Sequence, residues 1–269
     1  MTTDNKPEPE EERPEQYIRK KIFLSFSVFI IFILVAIIGW RWLQNQPREQ
    51  GALKPLRKGL QFNEKVNAVF FSDQHLSKEY PESAAAKKVR VNGAIGLKTA
   101  LDTIDWNVII YPNPENSSQI LKLTMKDILS LPARDIIFDF KCIEGWSQVS
   151  HWGGTTFSGF LKHYRLGTHS GNAPDPQHPE DLYKYVGLMT PDSAYYVGID
   201  MKSMLHPQTI LCYEMNGKPL PLNQGYPLRL IIPVKYGVKH LKRIGFIYFS
   251  DSKPKDYWFK KGYDYDCAL

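Results

Sequence analysis

Cys142 is the residue whose chemical type and neighbours point most directly to a reactive site. It ends an apolar run and precedes Gly145, where a chain can leave a strand and form the wall of a site. Lys141 and Glu144 flank the sulfur, and a nearby cation favours the thiolate, the form of cysteine that binds metals. A lone cysteine in a strand is more often a small core hydrophobe. The residues themselves leave both interpretations open.

A basic group near the C-terminus could bind an anion. Arg229 carries a planar guanidinium whose paired N–H groups fit a phosphate, and Lys239 and Lys242 add positive charge nearby. The alternative for Arg229 is an ordinary surface ion pair. The sequence predicts an anion site here only if these side chains converge.

The remaining histidines and cysteines do not predict a second metal site. Four histidines lack the spacing of ligands on one helix or strand and are expected in solvated loops: His151, His163, His169 and His178. Cys212 and Cys267 are expected to be structural. Three cysteines without a CxxC pair exclude the usual iron–sulfur, c-type haem and zinc-ribbon sites.

Short β-favouring runs must position these residues. They lie at residues 66–72, 88–91, 108–111, 135–143, 185–189, 194–197, 209–215, 228–234 and 244–248. Only two short helices are predicted, one after the capping-box pair Thr124 and Asp127 and one over residues 155–164. Asn216 and Gly217 predict a tight hairpin turn, and residues 168–181 a long Gly/Pro/Asp loop. The pattern indicates a mixed, strand-rich α+β fold.

Composition narrows the class of protein further. The chain has 269 residues, a formal charge of +6, 43% hydrophobic and 23% charged residues. These values exclude wholesale disorder and coiled coil. No block of Lys and Arg carries interleaved aromatic residues, so a nucleic-acid partner is not expected.

The N-terminal part predicts a membrane anchor. Residues 1–21 are polar and rich in Pro and Glu, as in a disordered tail. Residues 22–40 form an uncharged apolar run long enough to cross a bilayer, with Trp40 and Trp42 at its end, so the predicted anchor is residues 22–42. A buried core helix and a cleaved signal peptide are the alternatives. Basic residues flank the run on both sides, so charge does not decide its orientation. Residues 43–65 are predicted to be a linker, and residues 66–269 the folded domain.

Several segments resemble, in order, the sulfite oxidase superfamily and in particular its bacterial periplasmic methionine-sulfoxide reductase branch. The matching segments are residues 70–76, 141–147, 152–154, 185–190, 206–209, 217–230 and 233–242. The resemblance implies the sulfite-oxidase-type molybdopterin-binding fold, preceded here by one transmembrane helix. It also implies a molybdenum–molybdopterin cofactor with Cys142 as the protein ligand to the metal.

Further roles follow from the same resemblance. Glu144 is implied to lie near the metal as a catalytic proton donor or acceptor, the alternative being a structural carboxylate that pairs with Lys141. The remaining residues are implied to bind the pterin or its phosphate: Phe71, Gln74, His75, Thr190, Gln224, Arg229, His240, Leu241 and Lys242. Lys141 stands where sulfite oxidases have Arg, which makes the sulfite dianion a less suitable substrate.

The resulting prediction is a membrane-anchored molybdenum–pterin oxidoreductase. It would transfer an oxygen atom on a small S- or N-oxide, or a sulfite-like substrate. The chain lacks haem and iron–sulfur ligands, so an external electron carrier is expected, such as a membrane haem or quinone-linked protein. The resemblance places the catalytic domain on the periplasmic side of a bacterial cytoplasmic membrane, behind a single-pass anchor. The alternative is a non-catalytic, membrane-tethered binding or assembly module of the same fold.

Overall fold

The computed structural model describes residues 15–72, 74–100, 106–113 and 119–269. In these ranges the helices are α1 (Glu15–Gln44), α2 (Lys54–Phe70), α3 (Met125–Leu129), α4 (Phe157–Tyr164) and α5 (Met201–Met204). The first strands are β1 (Arg48–Glu49), β2 (Ala52–Leu53), β3 (Asn107–Tyr111), β4 (Leu121–Thr124), β5 (Ala133–Lys141) and β6 (Ser147–Thr156). The others are β7 (Tyr185–Met189), β8 (Tyr196–Asp200), β9 (Ile210–Met215), β10 (Lys218–Pro219), β11 (Arg229–Ile231) and β12 (Phe246–Ser250).

The helix α1 belongs to a compact unit separate from the one that contains Leu56–Leu269. It has no buried residue, and its most apolar window has a mean hydropathy of 3.0. Among the described residues it is the one helix long and apolar enough to cross a membrane. Residues 15–21, expected in the disordered tail, are its first turns, and residues 1–14 lie outside the described residues.

Two five-stranded sheets form the larger unit. One has the order β10-β9-β6-β5, with β11 paired to the other part of β9, and all its pairs are antiparallel. The second has the order β4-β3-β12-β7-β8 and contains a parallel pair, β3 with β12. The first sheet contains the β5–β6 hairpin and β11. The hairpin carries Cys142 and β11 carries Arg229, the two residues that the sequence singled out for chemistry.

The main core is apolar and includes α4. Phe157, Phe160 and Leu161 of that helix are fully buried with the second sheet's Val108 and Ile247. A smaller cluster within the first sheet contains Phe138, Trp152 and Cys212. The α+β, strand-rich prediction is therefore confirmed, and Cys212 is a core side chain.

Local signals located several elements correctly. The Thr124 hydroxyl caps α3 and Asp127 returns the bond, which forms the predicted capping box. Asn216 and Gly217 both have positive φ, at 53° and 66°, in the turn between β9 and β10. Residues 185–189 form β7 as predicted, and α4 lies within the predicted helix at 155–164.

Other strand predictions were wrong. The run at 66–72 is mostly the end of α2, because apolar residues there also repeat at helical spacing. Residues 88–91 pair with no strand, since the Arg90 amide donates to the side chain of Gln148 instead. The strands β4 and β6 were missed. The second contains Gly153 and Gly154, which look like loop residues in the sequence.

Candidate active site

Cys142 lies in the tight turn between β5 and β6. Its amide donates to the Trp146 carbonyl at 2.9 Å, and its carbonyl accepts from the Gly145 amide at 3.0 Å. Gly145 has a φ of +88°, a left-handed conformation that glycine adopts without strain. The turn holds Cys142 at 8% exposure on the wall of a cavity of about 180 Å³.

The cavity combines basic, polar and aromatic side chains. Its lining includes Arg90, Asn92, Phe140, Cys142, Glu144, Trp146, Gln148, Trp152, Gln224, Arg229, His240 and Lys242. Five of the predicted site residues beyond Cys142 thus meet there although they are spread from residue 144 to residue 242 of the chain.

Arg229 is a buried cation without a charged partner in the described part of the chain. Its Nη1 donates to the carbonyl and the side-chain oxygen of Gln224, both at 3.0 Å, and its guanidinium lies 4.6 Å from the Trp152 ring centroid. The Nε hydrogen has no acceptor among the residues that the structure describes. Burial lowers the pKa of Arg229 to about 10. A buried charge is costly unless it is paired, so the guanidinium is suited to an anionic ligand.

Lys242 adds a second cation to the same cavity. Its Nζ donates to the carbonyls of Asn92, Gly93 and Asn223 at 2.8, 3.1 and 3.1 Å. Burial, and then the charge of Arg229, lowers the pKa of Lys242 to about 7. An anion bound beside both residues would restore the ammonium form.

His240 lines the cavity as a neutral group. Burial and then the Arg229 charge lower its pKa to about 3. Its Nδ1 accepts from the Ile232 amide at 3.4 Å, and Nε2 donates to the Lys235 carbonyl at 3.0 Å. Both ring nitrogens are thus used within the protein, and His240 supplies shape rather than charge.

Glu144 lies at the exposed edge of the cavity. Its Oε2 accepts from Asn92 Nδ2 at 3.0 Å and from Trp146 Nε1 at 3.3 Å. Asn92 Nδ2 also lies 3.6 Å from the Cys142 sulfur. Asn92 therefore contacts both candidate catalytic side chains, and the sequence analysis missed it. Its only sequence signal is the Asn-Gly pair at 92 and 93, which marks a turn and not a site.

Two predicted cofactor residues point elsewhere. The Thr190 hydroxyl donates to Asp192 at 2.6 Å and accepts from the Tyr195 amide at 3.1 Å, and its methyl group packs on Gly96. Leu241 is fully buried in the main core and contributes its carbonyl to the Leu230 amide. Neither side chain lines the cavity that contains Cys142.

The segment with Phe71, Gln74 and His75 also lies outside that cavity. Phe71 and His75 line a second cavity of about 540 Å³ together with Tyr183 and Lys235. Gln74 is exposed, and its amide donates to the Ser72 hydroxyl at 3.2 Å. The structure does not bring these three residues to Cys142.

Comparison with known proteins identifies the family. Residues 96–258, more than half of the chain, match the family described as the oxidoreductase molybdopterin binding domain. The chain belongs to this family. It is therefore a molybdopterin-binding oxidoreductase of the sulfite oxidase type, which confirms the predicted fold, enzyme class and resemblance.

Two relatives of known name agree with the family assignment. The YedZ1 subunit from Azospira oryzae, named for a protein-methionine-sulfoxide reductase, is 31% identical over 205 residues, 76% of this chain and 72% of its own. The protein-methionine-sulfoxide reductase catalytic subunit MsrP of Campylobacter jejuni is 31% identical over 71% of this chain and 64% of its own. The sulfane dehydrogenase SoxCD from Paracoccus pantotrophus gives a TM-score of 0.46 at 19% identity, over 67% of this chain and 46% of that chain.

The cavity residues fit a molybdopterin. The unsatisfied Nε of Arg229 and the partly buried ammonium of Lys242 provide two cationic donors for a phosphate. The Cys142 sulfur on the same wall provides a soft ligand, the type that suits molybdenum bound to sulfur. Among the described residues no group of three or more His, Cys, Asp and Glu side chains is arranged to hold a metal by itself.

Proposed function

We propose that this protein is a membrane-anchored molybdenum–pterin enzyme that removes the oxygen atom from a small S- or N-oxide by oxygen-atom transfer. The observation that carries the proposal is the shared cavity of Cys142 and Arg229. One supplies a sulfur ligand, and the other is a buried cation whose Nε lacks a partner within the described chain.

Each cavity residue has a distinct task in holding the cofactor. Arg229 and Lys242 would bind the phosphate, and Gln224 fixes the Arg229 guanidinium through two hydrogen bonds. Cys142 would ligate the molybdenum. When bound, the cofactor supplies two-electron oxygen-atom exchange at the metal.

Glu144 is the residue proposed to move protons. Its carboxylate is exposed, so it can exchange protons with water, while Asn92 and Trp146 hold Oε2 at the cavity edge. A carboxylate fixed in this way can donate or accept a proton at the substrate oxygen. The contacts favour this role over the alternative of pairing with Lys141.

The cavity wall supports an S-oxide with apolar substituents. Phe140, Trp146 and Trp152 form an aromatic surface beside Cys142, and sulfur groups pack favourably on aromatic rings. The names of the relatives identify them as methionine-sulfoxide reductase subunits, which supports a sulfoxide in the same class.

A separate electron carrier and a membrane location complete the proposal. The relatives are named as subunits, which supports a partner protein that supplies electrons, of the membrane haem or quinone-linked type. The candidate membrane helix α1 supports a single-pass anchor in a bacterial cytoplasmic membrane, with the catalytic domain on the periplasmic side.

The test compares two separate variants, in each of which serine replaces a cysteine. Cys142→Ser replaces a soft thiolate by a hard hydroxyl, so the molybdenum paramagnetic spectrum and the sulfoxide reduction with an artificial donor should be lost while pterin is retained. Cys267→Ser is the control, since Cys267 is also buried, at 4% exposure against 8% for Cys142, and lies outside the cavity. Cys212 serves less well, because it stands opposite Arg229 in the β9–β11 pair. A Cys142→Ser enzyme with the parent spectrum and rate would refute the assignment.

A further inference from the structure

The helix α2 turns an apolar face outward. Phe62, Val66, Val69 and Phe70 follow the spacing of four, seven and eight residues that places side chains on one side of a helix. Phe62, Val69 and Phe70 are 65%, 80% and 75% exposed. A surface helix of a water-soluble domain ordinarily turns such a face to the core.

The inward side of α2 is polar and firmly held. Arg57 is 1% exposed, and its guanidinium donates to the carbonyls of Gln50 at 2.6 Å, Tyr263 at 2.7 Å and Phe259 at 3.1 Å. Glu64, six residues before the end of the helix, forms an ion pair with Lys253. These contacts prevent the helix from rotating to bury its apolar face, so the exposure is a fixed property of the fold.

The outward side of α2 is also cationic. Lys58 and Lys65 are exposed and each lies one turn before a residue of the apolar face, Phe62 or Val69. The one acidic residue of the helix, Glu64, forms an ion pair with Lys253, so its charge does not offset these lysines. Phenylalanine and valine next to lysines match the two layers of an anionic membrane surface, acyl chains and negative headgroups.

The chain keeps α2 close to any membrane that holds α1. Only residues 45–53 separate the two helices. Even fully extended, that segment reaches only about 30 Å. We infer that the outward face of α2, with Phe62, Val66, Val69 and Phe70 beside Lys58 and Lys65, lies on the anionic lipid surface of the membrane. The inference rests on the membrane anchor of the proposed function and adds a second contact that orients the enzyme domain.

Nitroxide labels on the full-length protein test this contact. The protein is reconstituted in nanodiscs of phosphatidylcholine and phosphatidylglycerol with a label on Val69→Cys or Phe62→Cys. The native cysteines are buried, so labelling of the parent chain gives the background. Leu129→Cys is the matched control, because Leu129 is an exposed apolar residue at the end of α3.

The measurement is the accessibility of each label to oxygen relative to an aqueous nickel chelate. Labels at 62 and 69 should show a severalfold higher ratio than the label at 129. The Lys58→Gln, Lys65→Gln double variant, or pure phosphatidylcholine, should reduce that difference. If the labels at 62 and 69 are as accessible to nickel as the label at 129, the inference is overturned. That result would also be expected if a protein partner, and not lipid, covers α2 in the cell.

A label on Phe32→Cys in α1 separates this inference from the proposed anchor. If the label at 32 lies in lipid while that at 69 stays in water, the α2 inference alone fails. If the label at 32 is also in water, the membrane anchor of the proposed function fails first.

Discussion

At the scale of single residues, Arg229 illustrates how a binding site differs from a core. Its guanidinium is buried on an indole ring with one nitrogen unsatisfied, an arrangement that a stable core avoids and a phosphate would complete. Cys212, its cross-strand neighbour, shows the opposite behaviour. Burial raises the pKa of the Cys212 thiol to about 12, which keeps it a neutral core side chain.

Removal of Arg229 should weaken cofactor retention more than turnover. Arg229→Ala deletes a hydrogen bond to a charged group, worth roughly 1.5–3 kcal/mol. The affinity for the pterin should therefore fall about ten- to a hundredfold. The measurement is pterin and molybdenum content after dialysis, with Arg229→Lys as a charge-retaining control. A variant with full cofactor but slow catalysis would contradict this assignment.

Lys242 should make the stability of the cofactor-free protein depend on pH. Its pKa falls from the ordinary 10.5 to about 7 through burial and then the Arg229 charge. Between these values the unfolded chain binds more protons than the folded one, so the free energy of unfolding should rise with pH from about 7 to 10.5. Below pH 7 the cost of the buried ammonium is fully present.

Urea unfolding at several pH values measures this effect. The Lys242→Met variant should lose this part of the pH dependence, and cofactor binding should reduce it because the phosphate favours the ammonium form. Identical pH profiles for the cofactor-free parent and Lys242→Met would exclude Lys242 as the source.

At the scale of elements, the pairing of β6 with β9 depends on a glycine. The register shifts between Gly153 and Gly154, and a Cβ on Gly154 would lie 2.2 Å from the Leu211 carbonyl oxygen. Gly154→Ala should lower the free energy of unfolding by about 3 kcal/mol and displace Trp152 below Arg229. The measurement is the thermal unfolding of Gly154→Ala beside that of a control variant. Gly217→Ala is the control, because its Cβ would meet no atom within 4 Å, and its positive φ should cost only about 1–2 kcal/mol.

Elements with a strong local signal could be predicted from the sequence. The apolar residues 185–189 and the capping residues Thr124 and Asp127 specify β7 and α3 through short-range physics. The strand β6 could not be found in this way. Its Gly153 and Gly154 carry no strand preference, and their place is set by the partners β5 and β9, far away in the chain.

The candidate site likewise contains residues that a sequence motif marks and one that only the fold brings there. Ordered motifs pointed to Cys142, Gln224, Arg229, His240 and Lys242, which share one cavity. Asn92 was missed because its contact with Cys142 joins residues 50 positions apart, and nothing in its neighbours marks it. Thr190 was included through a motif, yet its hydroxyl is used within its own turn.

At the scale of the whole molecule, the side of the membrane that holds the enzyme domain can be tested directly. We expect protease added to intact spheroplasts to digest the domain, because α1 would cross the membrane with its N-terminus inside. A cytoplasmic marker protein must stay intact in the same sample. Complete protection of the domain, with digestion only after lysis, would reverse the proposed orientation.

The pairing of β3 with β12 has a consequence for the timing of cofactor loading. The strand β3 ends at Tyr111 and its partner β12 begins at Phe246, so the second sheet stays incomplete until about 135 further residues have been translated. The cavity around Cys142 likewise takes part of its wall from Trp258 and Tyr263. At about 5–20 residues per second, a ribosome needs roughly 7–30 seconds to supply those late segments after β3 has been translated. The cavity is therefore complete only after the chain through Tyr263 has been synthesised, and a nascent chain stalled before Phe246 would remain an empty target for proteases.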